Sequence, residues 1–377
     1  MQRRTVYLSR RGALRAGAGA ALGLGALGLT GTGRAAAWSG ADTSYVIDCA
    51  GWGARPPKSA TQISPLATQK IVVHHMAFPN TTDYSRDAAI ALARKCQDLH
   101  MDTNGWIDTG QHFTVSRGGY VLEGRHGSLG ALTSGTYQIT GAHCVGENQR
   151  GIGIENEGTY VDETPPQALW ASLVMLCTTI GAQYGLGGHQ IFGHWDFNNT
   201  QCPGAAFYRQ FPALRLEVAR GLGQSFASIP ARTWPDTYSS SAGHTVVALQ
   251  YLLRAAGYDS VPLGGSLGDR ATQRALKAFQ TSIGVQPPKD STVTPATWEA
   301  LCGPTGPGST GEAVLAAQTV LSRKLYAVGL TGNYDAATVA AVAAMQELHG
   351  LPATGVLDTA SWCATIGGVV AEEFTGL

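Results

Sequence analysis

The 377-residue sequence predicts an α/β fold, a mixed central sheet flanked by helices, followed by two small three-helix domains. Two observations support this prediction. Between about residues 47 and 220, short runs of apolar residues alternate with longer segments whose apolar residues recur at helical spacing. Beyond about residue 244 only helical patterns remain, and they occur twice. Strands that alternate with helices favour a layered architecture around one sheet.

The elements of the first region follow from local signals. The apolar run 71–73 predicts a buried strand that ends at two imidazoles, His74 and His75. Pro203 suits the first position of a helix, so the last helix is predicted to start there, immediately after Cys202. A thiol at that helix N-terminus would be favoured as the thiolate. The predicted strands are 70–76, 111–116, 119–123, 151–155 and 189–194, and the predicted helices are 87–100, 166–184 and 203–221.

A helical repeat occupies the last third of the chain. Gln250 aligns with Gln318, and the two units place Asp269 and Asp335 where each would cap a second helix. A spacer or a dimerisation unit would show the same pattern, so the repeat alone does not assign a function. The predicted divisions are a leader at 1–37, an α/β domain at 45–222, a linker at 223–243 and repeats at 244–303 and 309–368.

The N-terminal leader has the features of an export signal. Adjacent arginines, Arg10 and Arg11, precede an uncharged Ala-, Gly- and Leu-rich run, and a small-residue site ends at Ala37. This is the twin-arginine pattern, and it predicts a secreted protein cleaved near Ala37. An anchoring helix is the alternative, which the glycine content and the adjacent processing site disfavour.

The charge balance excludes two classes of partner. The leader holds six of the 26 basic residues and none of the 26 acidic ones, so the mature chain would carry a net charge of −6. A mildly acidic exported protein is poorly suited to nucleic acid or to stable association with an anionic membrane. Nothing in the sequence demands more than a monomer.

A candidate metal site comes from two separate segments. His194 and Cys202 lie eight residues apart in a turn-rich stretch, and the pair His74 and His75 ends a predicted strand. Two imidazoles and one thiolate supply the three protein ligands of a catalytic zinc site, which leaves the fourth position to water. The spacing does not match a zinc finger, and strand alternation says only that His74 and His75 point to opposite faces.

The motifs of the first region resemble a known family. Together they are similar to the zinc N-acetylmuramoyl-L-alanine amidases of the type shared with phage T7 lysozyme and animal peptidoglycan recognition proteins, which implies the amidase/recognition-protein fold. The repeats resemble the three-helix peptidoglycan-binding domain of bacterial wall hydrolases. The motifs that carry the first resemblance are 51–57 (GWGARPP), 71–75 (IVVHH), 105–113 (GWIDTGQHF), 141–143 (GAH), 151–155 (GIGIE) and 193–204 (GHWDFNNTQCPG).

The resemblance implies that His74, His194 and Cys202 hold one zinc ion per chain. It also places a catalytic tyrosine where this chain has Gln111, and an amide cannot exchange a proton as a phenol does. Glu155 resembles the general base of related cytoplasmic amidases and is the predicted replacement. Glu157 is its rival, because the two share a strand face.

Four further residues are predicted site residues. Thr200 would donate its hydroxyl to the developing oxyanion, with a loop-capping role as the alternative. His143, Gln111 and Asn148 form the predicted substrate-binding set. A buried imidazole in the core is the alternative for His143.

The predicted function is a secreted zinc hydrolase associated with the cell wall through its C-terminal repeats. It would cleave the amide between the lactyl group of N-acetylmuramic acid and L-Ala in peptidoglycan, its predicted partner. One alternative is a recognition protein that binds peptidoglycan without cutting it. Another is a thiol peptidase with Cys202 as nucleophile and His194 as base.

Seven cysteines in an exported protein predict disulfide bonds. With Cys202 set aside as a ligand, six remain, and six allow 15 pairings. Cys302 and Cys363 each follow an aligned repeat tryptophan, so they are the first predicted pair. Cys96 with Cys144 is the second. The alternative is that some cysteines stay buried thiols, for example Cys177 in its apolar helix.

Overall fold

A six-stranded sheet forms the centre of the first region in the computed structural model, which describes residues 42–377. The strand order is β1-β4-β3-β5-β2-β6, and only the β3–β4 pair is antiparallel. Helices cover the sheet, so the predicted mixed α/β class is confirmed. The strands are β1 Val46–Ile47, β2 Lys70–His75, β3 Phe113–Val115, β4 Val121–Glu123, β5 Gly151–Asn156 and β6 Ile191–Gly193.

Strand β2 lies in the middle of the parallel part of the sheet. All six of its residues are buried, as expected for a strand covered on both faces. It pairs with β5 on one side, with His74 opposite Glu155, and with β6 on the other, with Val73 opposite Gly193. Since the carboxyl ends of parallel strands meet at one edge, His74, Glu155 and the residue after Gly193 are brought together there.

Five helices belong to this region, and one prediction about them is wrong. The predicted helix 203–221 is divided into two, and the first begins at Ala205 rather than Pro203. Its N-cap Gly204 has φ +93°, a conformation that breaks the chain direction after Cys202. The thiol therefore does not lie on a helix N-terminus. The helices are α1 Arg86–Asp98, α2 Ser128–Ser134, α3 Gln167–Tyr184, α4 Ala205–Tyr208 and α5 Phe211–Gly221.

The C-terminal third consists of two three-helix units, as the repeat predicts. Asp269 accepts hydrogen bonds from the Ala271 and Thr272 amides, and Asp335 accepts one from the Thr338 amide, so both predicted caps are confirmed. The first unit contains α6 His244–Ala255, α7 Arg270–Ser282 and α8 Pro295–Leu301, and the second contains α9 Glu312–Arg323, α10 Ala336–Leu348 and α11 Thr359–Thr365.

The chain end returns to the first region. Strand β7, Arg232–Thr233, pairs antiparallel with β8, Val369–Val370, so part of the predicted linker joins a two-stranded sheet with the C-terminal segment. Glu373 then forms a buried ion pair with Arg215 of α5, at 2.9 Å. Residues 42–377 accordingly belong to one compact unit. The boundaries between the predicted domains remain predictions.

The predicted leader, 1–37, lies outside the described residues. Within residues 42–377, no helix has both the length and the apolar character that crossing a bilayer requires.

The predicted disulfide bonds are not formed in the structure, because all seven cysteines are buried free thiols. Cys96 Sγ lies 3.7 Å from His100 Nδ1, whereas Cys144 Sγ donates to Asn198 Oδ1 at 3.4 Å, so the two thiols of this predicted pair face different neighbours. Neither predicted pairing, Cys302–Cys363 or Cys96–Cys144, is present in the structure.

Candidate metal centre

Three side chains from distant parts of the sequence converge at the carboxyl edge of the sheet. His74 ends β2, His194 follows β6, and Cys202 lies in the loop before α4. One donor atom from each lies within 4.8 Å of the other two. The Cys202 Sγ to His74 Nδ1 distance is 3.6 Å, and the His74 and His194 ring centroids are 4.4 Å apart.

The donor set fits zinc. Tetrahedral zinc with Zn–S of about 2.3 Å and Zn–N of about 2.0–2.1 Å separates its sulfur and nitrogen ligands by roughly 3.5 Å. Burial lowers the pKa of His74 well below its ordinary value and that of His194 to about 4, so both imidazoles are neutral, the form in which an imidazole can bind a metal ion. Burial raises the pKa of Cys202, and a divalent cation here would favour the thiolate that burial opposes.

A chain of hydrogen bonds sets which nitrogen of His74 faces the centre. His143 Nε2 lies 3.1 Å from the Gly151 carbonyl oxygen, to which only a protonated nitrogen can donate. His143 Nδ1 is therefore the acceptor for His74 Nε2–H, at 3.0 Å. His74 Nδ1 is then unprotonated and directed at Cys202. An outer partner of this kind commonly orients a metal-binding imidazole.

Asn198 holds the second imidazole. Its Oδ1 lies 3.1 Å from His194 Nε2 and also accepts from the Val145 amide at 3.0 Å. This leaves His194 Nδ1 as the donor atom toward the centre. The position was not predicted as a site residue, although it lies one helical turn after His194, where a side chain can reach back to that imidazole.

The thiol of Cys202 is held by backbone contacts. The His75 amide donates to Sγ at 3.3 Å, and the Cys202 amide donates to Thr200 Oγ1 at 3.1 Å. Trp195 N–H donates to the Cys202 carbonyl at 2.9 Å, which ties this loop to the turn carrying His194. Thr200 therefore caps the loop, the alternative weighed for it, while its own hydroxyl proton remains available to donate.

Glu155 lies beside the cluster. Its Oε1 is 3.9 Å from His74 Nδ1, and its Oε2 is buried without a hydrogen-bond partner among the described residues. Burial raises the pKa of Glu155 to about 8. An unpartnered buried carboxylate oxygen is uncommon in proteins and often marks a catalytic group or a bound species.

Both carboxylate oxygens of Glu157, the rival base, are engaged elsewhere. Oε2 accepts from the Arg117 amide at 2.7 Å and Oε1 from the Thr81 hydroxyl at 3.1 Å. These contacts connect the segment after β5 to two loops. Both oxygens of Glu157 are thus occupied by contacts within the protein, whereas Oε2 of Glu155 has no partner among the described residues.

The predicted substrate-binding residues contact protein groups. Gln111 is 1 % exposed, and its amide donates to Thr114 Oγ1 at 2.9 Å. Asn148 Oδ1 accepts from the backbone amides of His143 and Cys144, at 2.7 and 2.9 Å, and so shapes the turn that carries His143. The structure places Gln111 and Asn148 around the site, not among the three candidate ligands.

A three-donor cluster at the carboxyl edge of a mainly parallel sheet defines an α/β domain built around a candidate metal site. Residues 64–205 match the protein family described as N-acetylmuramoyl-L-alanine amidase, and residues 310–364 match the family described as putative peptidoglycan binding domain. The chain therefore carries a domain of the amidase and peptidoglycan recognition protein superfamily, together with a C-terminal peptidoglycan-binding domain.

Known relatives agree with this assignment. An N-acetylmuramoyl-L-alanine amidase of Homo sapiens is 32 % identical over 198 residues, which cover 49 % of this chain and 32 % of the human protein. Peptidoglycan-recognition protein LB of Drosophila melanogaster is 28 % identical, with 54 % of this chain and 85 % of that protein covered. The chain thus spans about a third of the human amidase's length.

One solved structure is similar to part of this chain. The crystal structure of peptidoglycan recognition protein-LE in complex with tracheal cytotoxin is 23 % identical, with a TM-score of 0.40. The alignment covers 45 % of this chain and 94 % of that one.

Proposed function

We propose that the protein is a secreted, zinc-dependent N-acetylmuramoyl-L-alanine amidase that its repeats hold to the cell wall. The observation that carries the proposal is the convergence of His74, His194 and Cys202 beside the unpartnered Oε2 of Glu155. Peptidoglycan as substrate is supported by the amidase-family match and the peptidoglycan-binding domain. Secretion is supported by the twin-arginine pattern and the Ala37 site.

His74, His194 and Cys202 would hold one zinc ion. When bound, the ion supplies Lewis-acid polarisation of the amide carbonyl and lowers the pKa of water toward about 7. Glu155 Oε2 takes the proton of the attacking water and returns it to the leaving amine of L-Ala. The carboxylate needs no covalent intermediate for this transfer, and its partial burial keeps the proton from bulk solvent.

The surrounding residues position these groups. The Thr200 hydroxyl, whose oxygen already accepts from the Cys202 amide, donates its proton toward the oxyanion. His143 orients His74, and Asn148 supports the turn that carries His143. We assign Gln111 to the wall of the site, where its buried amide packs against Cys96 and Thr114.

The test is digestion of purified peptidoglycan, scored by mass spectrometry for stem peptides with N-terminal L-Ala. Glu155→Gln is expected to lower the rate by about 10²- to 10⁴-fold with the zinc content unchanged, since it removes only the proton acceptor. Cys202→Ala is expected to lose both zinc and activity. Glu157→Gln is the matched control, expected to lower stability and to keep the rate per folded molecule.

Three outcomes contradict the proposal. Full activity of Glu155→Gln would show that Glu155 is not the general base. Activity that survives zinc removal but not Cys202→Ala supports the thiol peptidase. Intact glycopeptides together with retention on the wall support the non-catalytic recognition protein, which the amide of Gln111 at the tyrosine position favours.

A further inference from the structure

A cleft lies where the α/β domain and both repeats meet. It consists of two adjoining cavities of about 410 and 270 Å³, which share His244, Ser322 and Arg323 in their walls. The smaller cavity also reaches Thr200 and Gln201, next to the candidate ligand Cys202. We call this the junction cleft. Each of the three parts of the chain contributes to it, so the cleft exists only while the repeats are docked.

The cleft is held in place by a close backbone approach. Gly243, which precedes α6, has φ +104°, and a Cβ there would lie 2.9 Å from the backbone of Asn198 and Asn199. The Ala242 amide donates to the Phe197 carbonyl at 3.3 Å. The loop that leads to Cys202 is therefore packed directly on the start of the first repeat. A side chain at Gly243 would separate them.

A buried polar atom faces the cleft without a partner. His244 is 4 % exposed, lines both cavities, and has no hydrogen bond to Nε2 among the described residues. Thr319 Oγ1, in the wall of the larger cavity, is also buried and unpartnered. Buried polar atoms are nearly always satisfied in folded proteins. Each of these two atoms in one cavity wall can form a hydrogen bond with a polar ligand.

The charge of the cleft favours an anion. Arg323, an exposed residue, is the one charged side chain in the walls, lines both cavities, and has no ion-pair partner among residues 42–377. The N-terminus of α6 begins at His244, so its partial positive charge is directed to the same place. No aspartate or glutamate lines either cavity.

We propose that the junction cleft binds a carboxylate-bearing stem peptide of peptidoglycan. This inference rests on the proposed function, which it deepens by assigning a subsite for the acidic peptide. Arg323 pairs with a peptide carboxylate, and His244 Nε2 hydrogen-bonds a peptide polar group. Tyr251 and Leu263 in the larger cavity pack against aliphatic parts of the ligand. A neutral sugar would satisfy the orphaned atoms but would make no use of the positive charge of Arg323.

The test measures binding of two synthetic stem peptides to the full chain by calorimetry. One peptide has free carboxylates and the other has them amidated; neither contains the muramyl amide, so binding is measured without turnover. The acidic peptide is expected to bind about tenfold more tightly than the amidated one. Arg323→Gln is expected to remove this preference by weakening the acidic peptide alone, whereas Arg274→Gln, an exposed arginine on α7 outside both cavities, leaves it unchanged.

The results separate this inference from the proposed function. Equal affinity for the two peptides, no measurable binding of either, or an unchanged preference in Arg323→Gln overturns the cleft as a carboxylate subsite. A preference that depends on Arg323 supports it, even in a protein that fails to release stem peptides from peptidoglycan. That failure alone would overturn the amidase proposal. Circular dichroism confirms that Arg323→Gln is folded.

Discussion

The two repeats share an internal framework but differ in what they contact. In the first, Gln250 Nε2 donates to Thr272 Oγ1 at 3.0 Å, and in the second, Gln318 Nε2 donates to Thr338 Oγ1 at 2.9 Å. Each glutamine is fully buried and joins two helices of its own unit. The shared framework shows that a buried amide network, together with an apolar core, holds each small unit together.

The difference lies at the C-terminal ends of the helices. Lys324 is the residue immediately after α9, where the first repeat has Ala256 after α6. His349 is the residue immediately after α10, where the first repeat has Ile283 after α7. Lys324 and His349 are both buried, at 4 % and 2 % exposed. The second repeat thus places two ionisable groups inside the protein where the first has two apolar residues.

Both groups lie in the interface with the α/β domain, and Lys324 Nζ is 5.0 Å from the ring centroid of Tyr208 in α4. His349 Nδ1 is 2.7 Å from Glu373 Oε1, and Glu373 Oε2 accepts from Arg215 at 2.9 Å. Arg215 Nε donates in turn to the carbonyl of Ile191, in the strand that leads to His194. The comparison shows that the same three-helix framework can carry different residues at its helix ends. In the second repeat these residues are ionisable and contact the rest of the protein through buried charge.

The largest expected effect comes from breaking this ionic contact. Glu373→Gln leaves Arg215 buried and unpaired, so the free energy of unfolding is expected to fall by about 3–5 kcal/mol in urea denaturation. Glu299→Gln is the control, because its pair with Arg232 is partly exposed and is expected to contribute less than about 1 kcal/mol. Similar losses for the two variants would contradict the special role of the buried pair.

A smaller loss of stability, equal for the two repeats, is expected when the buried glutamine of either repeat is replaced. Gln250→Leu and Gln318→Leu each leave a buried loop amide without an acceptor and remove one hydrogen bond to a threonine that keeps its aspartate partner, so each should lower the free energy of unfolding by about 1–3 kcal/mol. Both values come from the same urea titration as above. A loss confined to one variant would show that the two frameworks are not equivalent.

The smallest expected effect is on the pH dependence of the free energy of unfolding. Burial lowers the pKa of His244 to about 3, with Lys324 and Arg323 adding to the shift. Its neutral form therefore favours the folded state, and this stability is complete above about pH 6.5 and is lost as the pH falls toward 3. His244→Asn is expected to flatten the decline in unfolding free energy between pH 6 and 4 by up to about 1.4 kcal/mol per pH unit.

His349 provides the matched comparison. Burial lowers its pKa too, but Glu373 opposes the shift, so His349→Asn is expected to flatten the decline less than His244→Asn. Urea titrations at pH 6, 5 and 4 measure both variants. A larger change for His349→Asn would mean that Glu373 does not offset the burial of that imidazole.

The sequence predicts those parts of the molecule that depend on local pattern. Strand β2, the repeat helices and the caps at Asp269 and Asp335 follow from apolar spacing and capping residues. The grouping of His74 with His194 and Cys202 follows from the resemblance, and the structure brings the three together. Their role as zinc ligands stays a prediction.

The features that sequence reasoning missed have no local signal. Strands β7 and β8 have two residues each, too few to show a period. The Arg215–Glu373 pair joins positions 158 residues apart, and a single Arg or Glu does not reveal its partner. The break between α4 and α5 is the exception: it falls at Arg209 and Gln210, and Pro212 in the first turn of α5 is a local signal for a new helix start.

The pairing of β7 with β8 also has a mechanical consequence. The chain enters the repeats next to β7 and leaves them next to β8, so both ends of the repeat segment are clamped at one place on the α/β domain. Glu373, just beyond that clamp, fastens the outgoing strand to α5. A pull transmitted from the repeats is therefore shared between two attachment points. The repeat segment and its two connections thus form a closed loop. Cutting the backbone at either strand would leave the repeats covalently connected through the other strand only.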